Sequence, residues 1–193
     1  MKKKSSTIVI FLLLSIFLAG CSATKITPPL NVEDGVDVYL LDHGLHTTLI
    51  LPYKNGVSYR WGYGDFRYYA LGEKSFTNSF VALFFPTQAA LGREKLSSPL
   101  DLAHASKVVK NIYVIHLERV KVYQLQEELL FIFDNATLIH RSEEFSFEFA
   151  DHPKKYHLFH NSNKMVALWL SSMGAKVSKY PILANWKVEQ ASK

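Results

Sequence analysis

Cysteine is almost missing from this chain, which has one, Cys21, among 193 residues. A disulfide within the chain is therefore excluded, and so is a zinc site built from several cysteines. Glycine and proline are also few, with 9 and 7 residues, so the composition does not indicate a collagen-like or low-complexity protein. These absences favour one ordinary folded domain that is held together without covalent cross-links.

Long hydrophobic runs are scarce as well, and the most continuous one lies at the start of the chain. Lys2, Lys3 and Lys4 precede an apolar stretch that begins at Ile8 and continues to Leu18. The stretch is too short to span a bilayer comfortably. A basic start followed by such a run is typical of a secretory signal.

The apolar stretch ends in the sequence Leu-Ala-Gly-Cys at residues 18–21, which resembles the lipobox of bacterial lipoproteins. In a lipobox, a peptidase cuts before a cysteine whose sulfur already carries a diacylglyceryl group. We therefore predict a signal peptide over residues 1–20 and lipidation at Cys21. Because Ser22 rather than an aspartate follows, the resemblance implies sorting to the outer membrane, facing the periplasm. A plain secretory signal or an uncleaved membrane anchor is the alternative.

Removal of the signal peptide changes what the charge implies. The whole chain carries +5, whereas the 173 residues from Cys21 onward carry 19 basic and 17 acidic residues, or +2. A nucleic acid is therefore not an expected partner. The expected partner is the membrane, through the lipid on Cys21, since several acyl chains anchor a protein stably.

Domain organisation follows from where hydrophobic periodicity begins. Residues 21–35 contain Thr27-Pro28-Pro29 and no periodicity, so they are predicted to form a lipidated tether. Residues 36–193 show no repeat and no second change in composition, and they are predicted to form one domain.

Within this domain, alternating and helical patterns predict an α+β fold, with an antiparallel sheet packed on helices. An amphipathic helix is expected over 122–133 and a second over 163–173, ended by Gly174. Strands are expected over 36–40, 47–51, 58–63, 112–117 and 145–149, with the third broken by Gly62 and Gly64.

A first candidate for chemistry is His46, at the start of a predicted buried strand. The sheet would fix its backbone while the imidazole points toward a rim, which suits a general base. The alternative is a histidine that merely packs or bonds a loop carbonyl. His43, in the preceding turn, is expected to be solvated.

A second candidate is Ser162, immediately before the last helix and between Asn161 and Asn163. The unpaired N–H groups and positive dipole at a helix N-terminus stabilise an anion that develops on a nucleophile or a nearby oxyanion. The alternative is that Asn161 or Ser162 only caps the helix, since both are preferred N-cap residues.

A third candidate is the segment Trp61-Gly62-Tyr63-Gly64-Asp65. Asp65 is expected at a strand end, where its carboxylate would orient His46; a turn aspartate that bonds its own backbone is the alternative. Trp61 and Tyr63, with nearby aromatic residues, are expected to line a groove, although core packing is the more frequent explanation.

The histidine strand, the Trp-Gly-X-Gly-Asp segment and the Asn-X-Asn helix start occur in an order that resembles a family of bacterial lipoproteins and membrane-associated proteins carrying a domain of unknown function. That family in turn is similar to the permuted papain-like superfamily, which includes the NlpC/P60 peptidases. The resemblance implies a permuted papain-like domain in which a histidine strand faces a helix with a cysteine at its start. Acyl transfer in such relatives passes through a thioester.

This chain departs from the family at the nucleophile, because Ser162 stands where the pattern carries cysteine. A serine hydroxyl needs a well-placed base and an oxyanion hole, whereas a thiol is intrinsically nucleophilic. We therefore expect a lipid-anchored protein with a degenerate site and a binding or pseudoenzyme role, with a cell-wall peptide or a lipid as the ligand.

The alternative is a serine hydrolase or acyltransferase acting on a peptidoglycan amide or a lipid ester. In that mechanism Ser162 is the nucleophile, His46 the base and Asp65 the orienting residue. Backbone N–H groups near Asn161 and Asn163 form the oxyanion hole. No cofactor is expected.

Two further patterns allow other functions. His43-X-X-His46 and His157-X-X-His160 have the spacing of metal-ligand pairs, but i,i+3 residues lie on opposite faces of a strand, and no metal is expected. The apolar run over 80–86 is expected in the core, with a lid or acyl-binding surface as the alternative.

Overall fold

The computed structural model describes residues 22–75, 78, 81–82, 84–97 and 109–190. The predicted signal peptide and Cys21 lie outside these residues, so cleavage and lipidation stay predictions. In the described part of the chain, no helix is long and apolar enough to cross a bilayer.

The centre of the molecule is a seven-stranded antiparallel sheet with a small second sheet beside it. The large sheet has the strand order β6-β2-β3-β4-β5-β8-β7, and the small one has the order β10-β1-β9. The strands are β1 Thr24–Thr27, β2 Gly35–Asp42, β3 Thr47–Pro52, β4 Ser58–Asp65, β5 Thr87–Leu96, β6 Asn111–Glu118, β7 Ile139–Ser142, β8 Phe147–Tyr156, β9 Lys176–Val177 and β10 Trp186–Val188.

The longer helices cover one face of the large sheet. The helices are α1 Phe66–Tyr69, α2 Arg119–Asp134 and α3 Ser162–Ser172, with a 3₁₀ turn at Lys54–Gly56. Helix α2 buries Val122, Leu125, Leu129 and Phe133, a stripe at helical spacing. These side chains join apolar residues of α3 and of strands β2, β3, β4 and β6 in the main core.

The predicted α+β fold with an antiparallel sheet on helices is confirmed. Two strands of the large sheet, β5 and β7, were not predicted, and two of the predicted strands have notably different bounds. β4 continues through both of its glycines to Asp65, because Gly62 and Gly64 pair in register with Gly92 and Ala90 of β5. β8 begins at Phe147 rather than two residues earlier, after Ser146 takes a left-handed backbone conformation (φ 56°).

The predicted tether is corrected, because part of it belongs to the fold. β1 pairs parallel with β10 and antiparallel with β9. Ile26 is fully buried and joins the main core. Burial of its side chain and pairing on both edges hold the chain against the domain from Thr24 onward, so only Ser22 and Ala23 separate Cys21 from the docked strand.

The second face of the large sheet carries a smaller core made of aromatic residues. It contains Phe66, Ala70, Ala90, Phe147 and Phe149, with Tyr69 and Phe145 packed against it. The glycines of the sheet make room for these rings. A methyl group at Gly92 would lie 2.7 Å from Cε1 of Phe149, and one at Gly64 would overlap the ring of Tyr69.

Candidate functional site

A groove opens between the start of β3 and the aromatic face of the sheet. It measures about 40 Å³ and is lined by His46, Thr47, Thr48, Gly62, Tyr63, Tyr69, Phe145, Phe147 and Phe149. This volume admits a few water molecules or one small group, not a drug-sized ligand. Its walls are mostly aromatic, so an apolar part of a ligand fits it best.

His46 is the main titratable group of the groove. Its ring stands edge-on to Tyr69, with centroids 6.0 Å apart, and stacks on His43 at 4.6 Å. Within the described part of the chain, neither ring nitrogen has a hydrogen-bond partner. His46 is therefore a polar group in an aromatic groove that remains available to a ligand.

His43 supports His46 rather than standing in solvent, as the sequence led us to expect. It is half-buried, and its Nε2 lies 3.1 Å from Oγ1 of Thr48. Gly44, with φ at 91°, makes the turn between the two histidines, and its N–H donates to Asp42 Oδ1. The turn thus brings the two rings face to face.

The environment of His46 keeps its imidazole neutral. Burial lowers its pKa from 6.5 to about 4, with smaller contributions from His43 and Arg60, while Asp42 acts in the opposite direction. At neutral pH the ring therefore presents one donor and one acceptor nitrogen to the groove.

This shift predicts a specific dependence of stability on pH. Because His46 has a lower pKa folded than unfolded, the unfolded chain takes up its proton first as the pH falls from about 6.5 to about 4. The free energy of unfolding then drops by on the order of 1–3 kcal/mol over that window and changes no further below it on account of this group. Urea denaturation at a series of pH values from 7 to 4 measures this loss in the free energy of unfolding.

The control for this experiment is His46→Gln, which cannot titrate. The variant is expected to lose less stability than the wild type over the same window, although His152, whose pKa burial also lowers to about 4, contributes in both proteins. Parallel curves for the two proteins would contradict the assignment.

The start of α3 is built by Asn161, as the capping alternative predicted. Asn161 has an extended backbone, and its Oδ1 accepts from the N–H of Lys164 at 3.0 Å. Its Nδ2 donates to the carbonyls of Leu158 and Ile182. Ser162 follows as the first helical residue and is buried.

Asn163 ties the start of α3 to the strand of His46. Its Nδ2 donates to the carbonyls of Leu45 and Ile182, both at 2.9 Å, and its Oδ1 accepts from Thr47 Oγ1 at 2.8 Å. Thr47 Oγ1 in turn accepts from Nε1 of Trp186. Asn163 is fully buried, and its three polar contacts are made to the protein itself.

The predicted pair of His46 and Ser162 gains no hydrogen bond among the described residues. Thr47, the first residue of β3, meets α3 through Asn163, whereas His46 lies in the turn just before the strand. His46 instead lies with Tyr69 on the groove side. The catalytic role of Ser162 stays a prediction.

Asp65 occupies the predicted strand end but bonds other partners than His46. It is buried at the N-cap of α1, where its Oδ1 accepts from the N–H of Tyr68 at 2.8 Å. Its Oδ2 accepts from Oγ1 of Thr87 at 2.5 Å. Both carboxylate oxygens therefore hold α1 and the start of β5 in place, and the bond to the N–H of Tyr68 is in keeping with the alternative of a turn aspartate that bonds nearby backbone.

The prediction that Trp61 and Tyr63 both line a groove is corrected for Trp61. Trp61 is fully buried in the main core, where its Nε1 donates to Oε1 of Gln126 at 3.0 Å. Tyr63, nearer the end of β4, contributes to the lining of the groove but is also buried in the main core, and its hydroxyl donates to the carbonyl of Lys155. The difference arises because Trp61 lies directly beneath α2.

Two further patterns were the paired histidines and the apolar run over 80–86. Among the described residues, no group of three or more His, Cys, Asp or Glu side chains is placed to hold a metal ion. In the apolar run over 80–86, Ala82 is buried, whereas Phe84 and Phe85 are exposed. Residues 80 and 83 lie outside the described residues.

Sequence reasoning missed the walls of the groove, which are Phe145, Phe147 and Phe149. The signal was the glycine content of neighbouring strands, since Gly62 and Gly92 pair across β4 and β5. Glycine inside a strand often marks a close approach of another group, here the two rings of β8.

Comparison with known protein families, with curated proteins and with solved structures finds no match to this chain.

Proposed function

We propose that this chain is a lipid-anchored envelope protein whose groove binds a ligand rather than transforming it. The fold we propose for it is the permuted papain-like one, with β3 as the histidine strand and α3 as the helix that packs against it. The ligand is an apolar part of a cell-wall peptide or of a lipid.

The observation that carries this proposal is the use of the polar groups around Ser162. Catalysis by serine needs a base within hydrogen-bond reach and a third group that orients the base. Asp65 is engaged by Tyr68 and Thr87, and no described hydrogen bond joins His46 to Ser162. The side chains on either side of Ser162 also have structural roles, since Asn161 caps α3 and Asn163 bonds Thr47 and the carbonyl of Leu45.

The groove itself supports binding. An aromatic surface contributes through burial of apolar area, and the free nitrogen atoms of neutral His46 add one directional contact. At the start of α3, the N–H of Lys164 donates to Oδ1 of Asn161 and the N–H of Met165 donates to the carbonyl of Asn161. These donors therefore serve the helix, which favours binding over catalysis at Ser162 in our proposal.

A serine-reactive fluorophosphonate probe tests the proposal. We expect no more labelling of the wild type than of Ser162→Ala, because a serine without a base is unreactive. Ser162→Cys provides a second readout, and its thiol should react with iodoacetamide no faster than an ordinary buried cysteine. Labelling of the wild type that disappears in both Ser162→Ala and His46→Ala would establish the serine enzyme instead.

A further inference from the structure

One end of the domain carries exposed apolar side chains on three separate loops. They are Leu45 before β3, Phe159 after β8, and Tyr180, Ile182 and Leu183 before β10, and together we call them the apolar rim. Phe84 and Phe85, also exposed, lead into the start of β5 at the same end. The rim surrounds the start of α3.

Hydrogen bonds from two asparagine side chains fix the three loops of the apolar rim. The side chain of Asn163 bonds the carbonyls of Leu45 and Ile182, and that of Asn161 bonds those of Leu158 and Ile182. The two asparagines thus join all three loops. Apolar groups that a network of hydrogen bonds keeps exposed indicate a surface that meets an apolar partner.

The N-terminus of the folded part leaves the domain at this same end. The N–H of Thr24 donates to the carbonyl of Asn185, and Nζ of Lys179 donates to the carbonyl and hydroxyl of Ser22. Lys179 directly precedes Tyr180 of the rim. Ser22 and Ala23 alone separate Thr24 from Cys21, and the three steps between their Cα atoms span about 10 Å at full extension.

The charge at this end suits the surface of a bilayer that contains anionic lipids. Lys154, Lys155, Lys164 and Lys179 form no ion pair with a carboxylate among the described residues. Basic side chains next to exposed apolar ones are typical of proteins that lie on a membrane.

We infer that the apolar rim inserts into the membrane leaflet that holds the lipid on Cys21, so that the groove opens at the lipid surface. This inference rests on the proposed lipid anchor. A two-residue link cannot hold this end far from the membrane, and Leu45 places the rim directly beside His46. Ligands that reach the groove then come from the lipid surface.

Depth measurement with a fluorescent label tests the inference. Because an acylated Cys21 has no free thiol, a new cysteine is the only site for the environment-sensitive dye NBD. The full protein carrying Leu45→Cys, Phe159→Cys or Leu183→Cys is labelled and reconstituted in phosphatidylethanolamine–phosphatidylglycerol vesicles. Val120→Cys is the matched control, since Val120 is 60% exposed and Leu183 59% exposed, and it lies at the opposite end of the domain, where β6 passes into α2.

We expect blue-shifted emission from the rim labels and at least about twofold stronger quenching by nitroxide lipids than for the label at position 120. Equal quenching at the two ends would overturn the inference, and so would a blue shift without quenching, because the rim is then covered by protein. Labelling of the wild type would show a free Cys21 thiol, which is a failure of the lipid anchor rather than of the rim.

Discussion

Replacing Asn163 with alanine is expected to lower the free energy of unfolding by about 3 kcal/mol. The substitution removes one buried and two partly buried hydrogen bonds and leaves the carbonyls of Leu45 and Ile182 and the hydroxyl of Thr47 with fewer partners. A net hydrogen bond contributes about 0.5–1.5 kcal/mol, and a buried group left without a partner costs about 1–3 kcal/mol. The loss is large because Asn163 links α3 to Thr47 of β3 and to the loop of Leu45 by hydrogen bonds, in addition to the apolar packing between the two elements.

Urea denaturation of the wild type and the variant measures the effect. Asn135→Ala is the control, because Asn135 makes one exposed hydrogen bond to the carbonyl of Phe131 and should cost less than about 1 kcal/mol. Combining Asn163→Ala with Thr47→Val should cost less than the sum of the two single variants, since both remove the same hydrogen bond. A loss below about 1 kcal/mol for Asn163→Ala would contradict the role assigned to it.

Replacing Ile26 with alanine is expected to cost about 2–4 kcal/mol, which is the range for a large aliphatic side chain removed from a packed core. Ile26 is fully buried and lies on β1, between β9 and β10. A residue of a flexible tether would show no such loss. The same urea experiment therefore decides whether the chain before Gly35 belongs to the folded domain.

Ile139→Ala is the matched control, because it makes the same change at a side chain that is 56% exposed. Its loss should stay below about 1 kcal/mol, because an exposed side chain loses little burial. If the two isoleucines gave equal and small losses, β1 would not be part of the stable fold, and the anchor would have a longer and looser link than we infer.

Most large elements of the fold were predictable because their periodicity is local, but the ten-residue strand β5 was not predicted. The alternating residues of β2, the apolar run of β3 and the stripe of α2 each reveal their buried face without knowledge of a partner. β1, β9 and β10 were not predictable, because strands of two to four residues carry too little pattern and their partners are distant in the chain. Thr24 pairs with Trp186, for example.

The sequence identified most residues that lie around the start of α3, but it did not predict which side chains bond one another there. The sequence singled out His46, Asn161, Ser162 and Asn163 as a group, and the structure brings Asn163 to the strand of His46. Which side chain of the strand faces the helix depends on register, however, and this side chain is Thr47. The role of Asp65 likewise depends on Thr87, a residue 22 positions away that no local pattern links to it.

The most direct test of the binding role is a photo-crosslink from the groove in living cells. The photoreactive residue p-benzoylphenylalanine replaces Phe145, which lines the groove, or Phe131, which lies exposed on α2, as the control. We predict a crosslink to a lipid or a cell-wall fragment from position 145 that weakens when His46→Ala is added, and none from position 131. An equal yield from both positions, or one that is unaffected by His46→Ala, would contradict a ligand-binding groove.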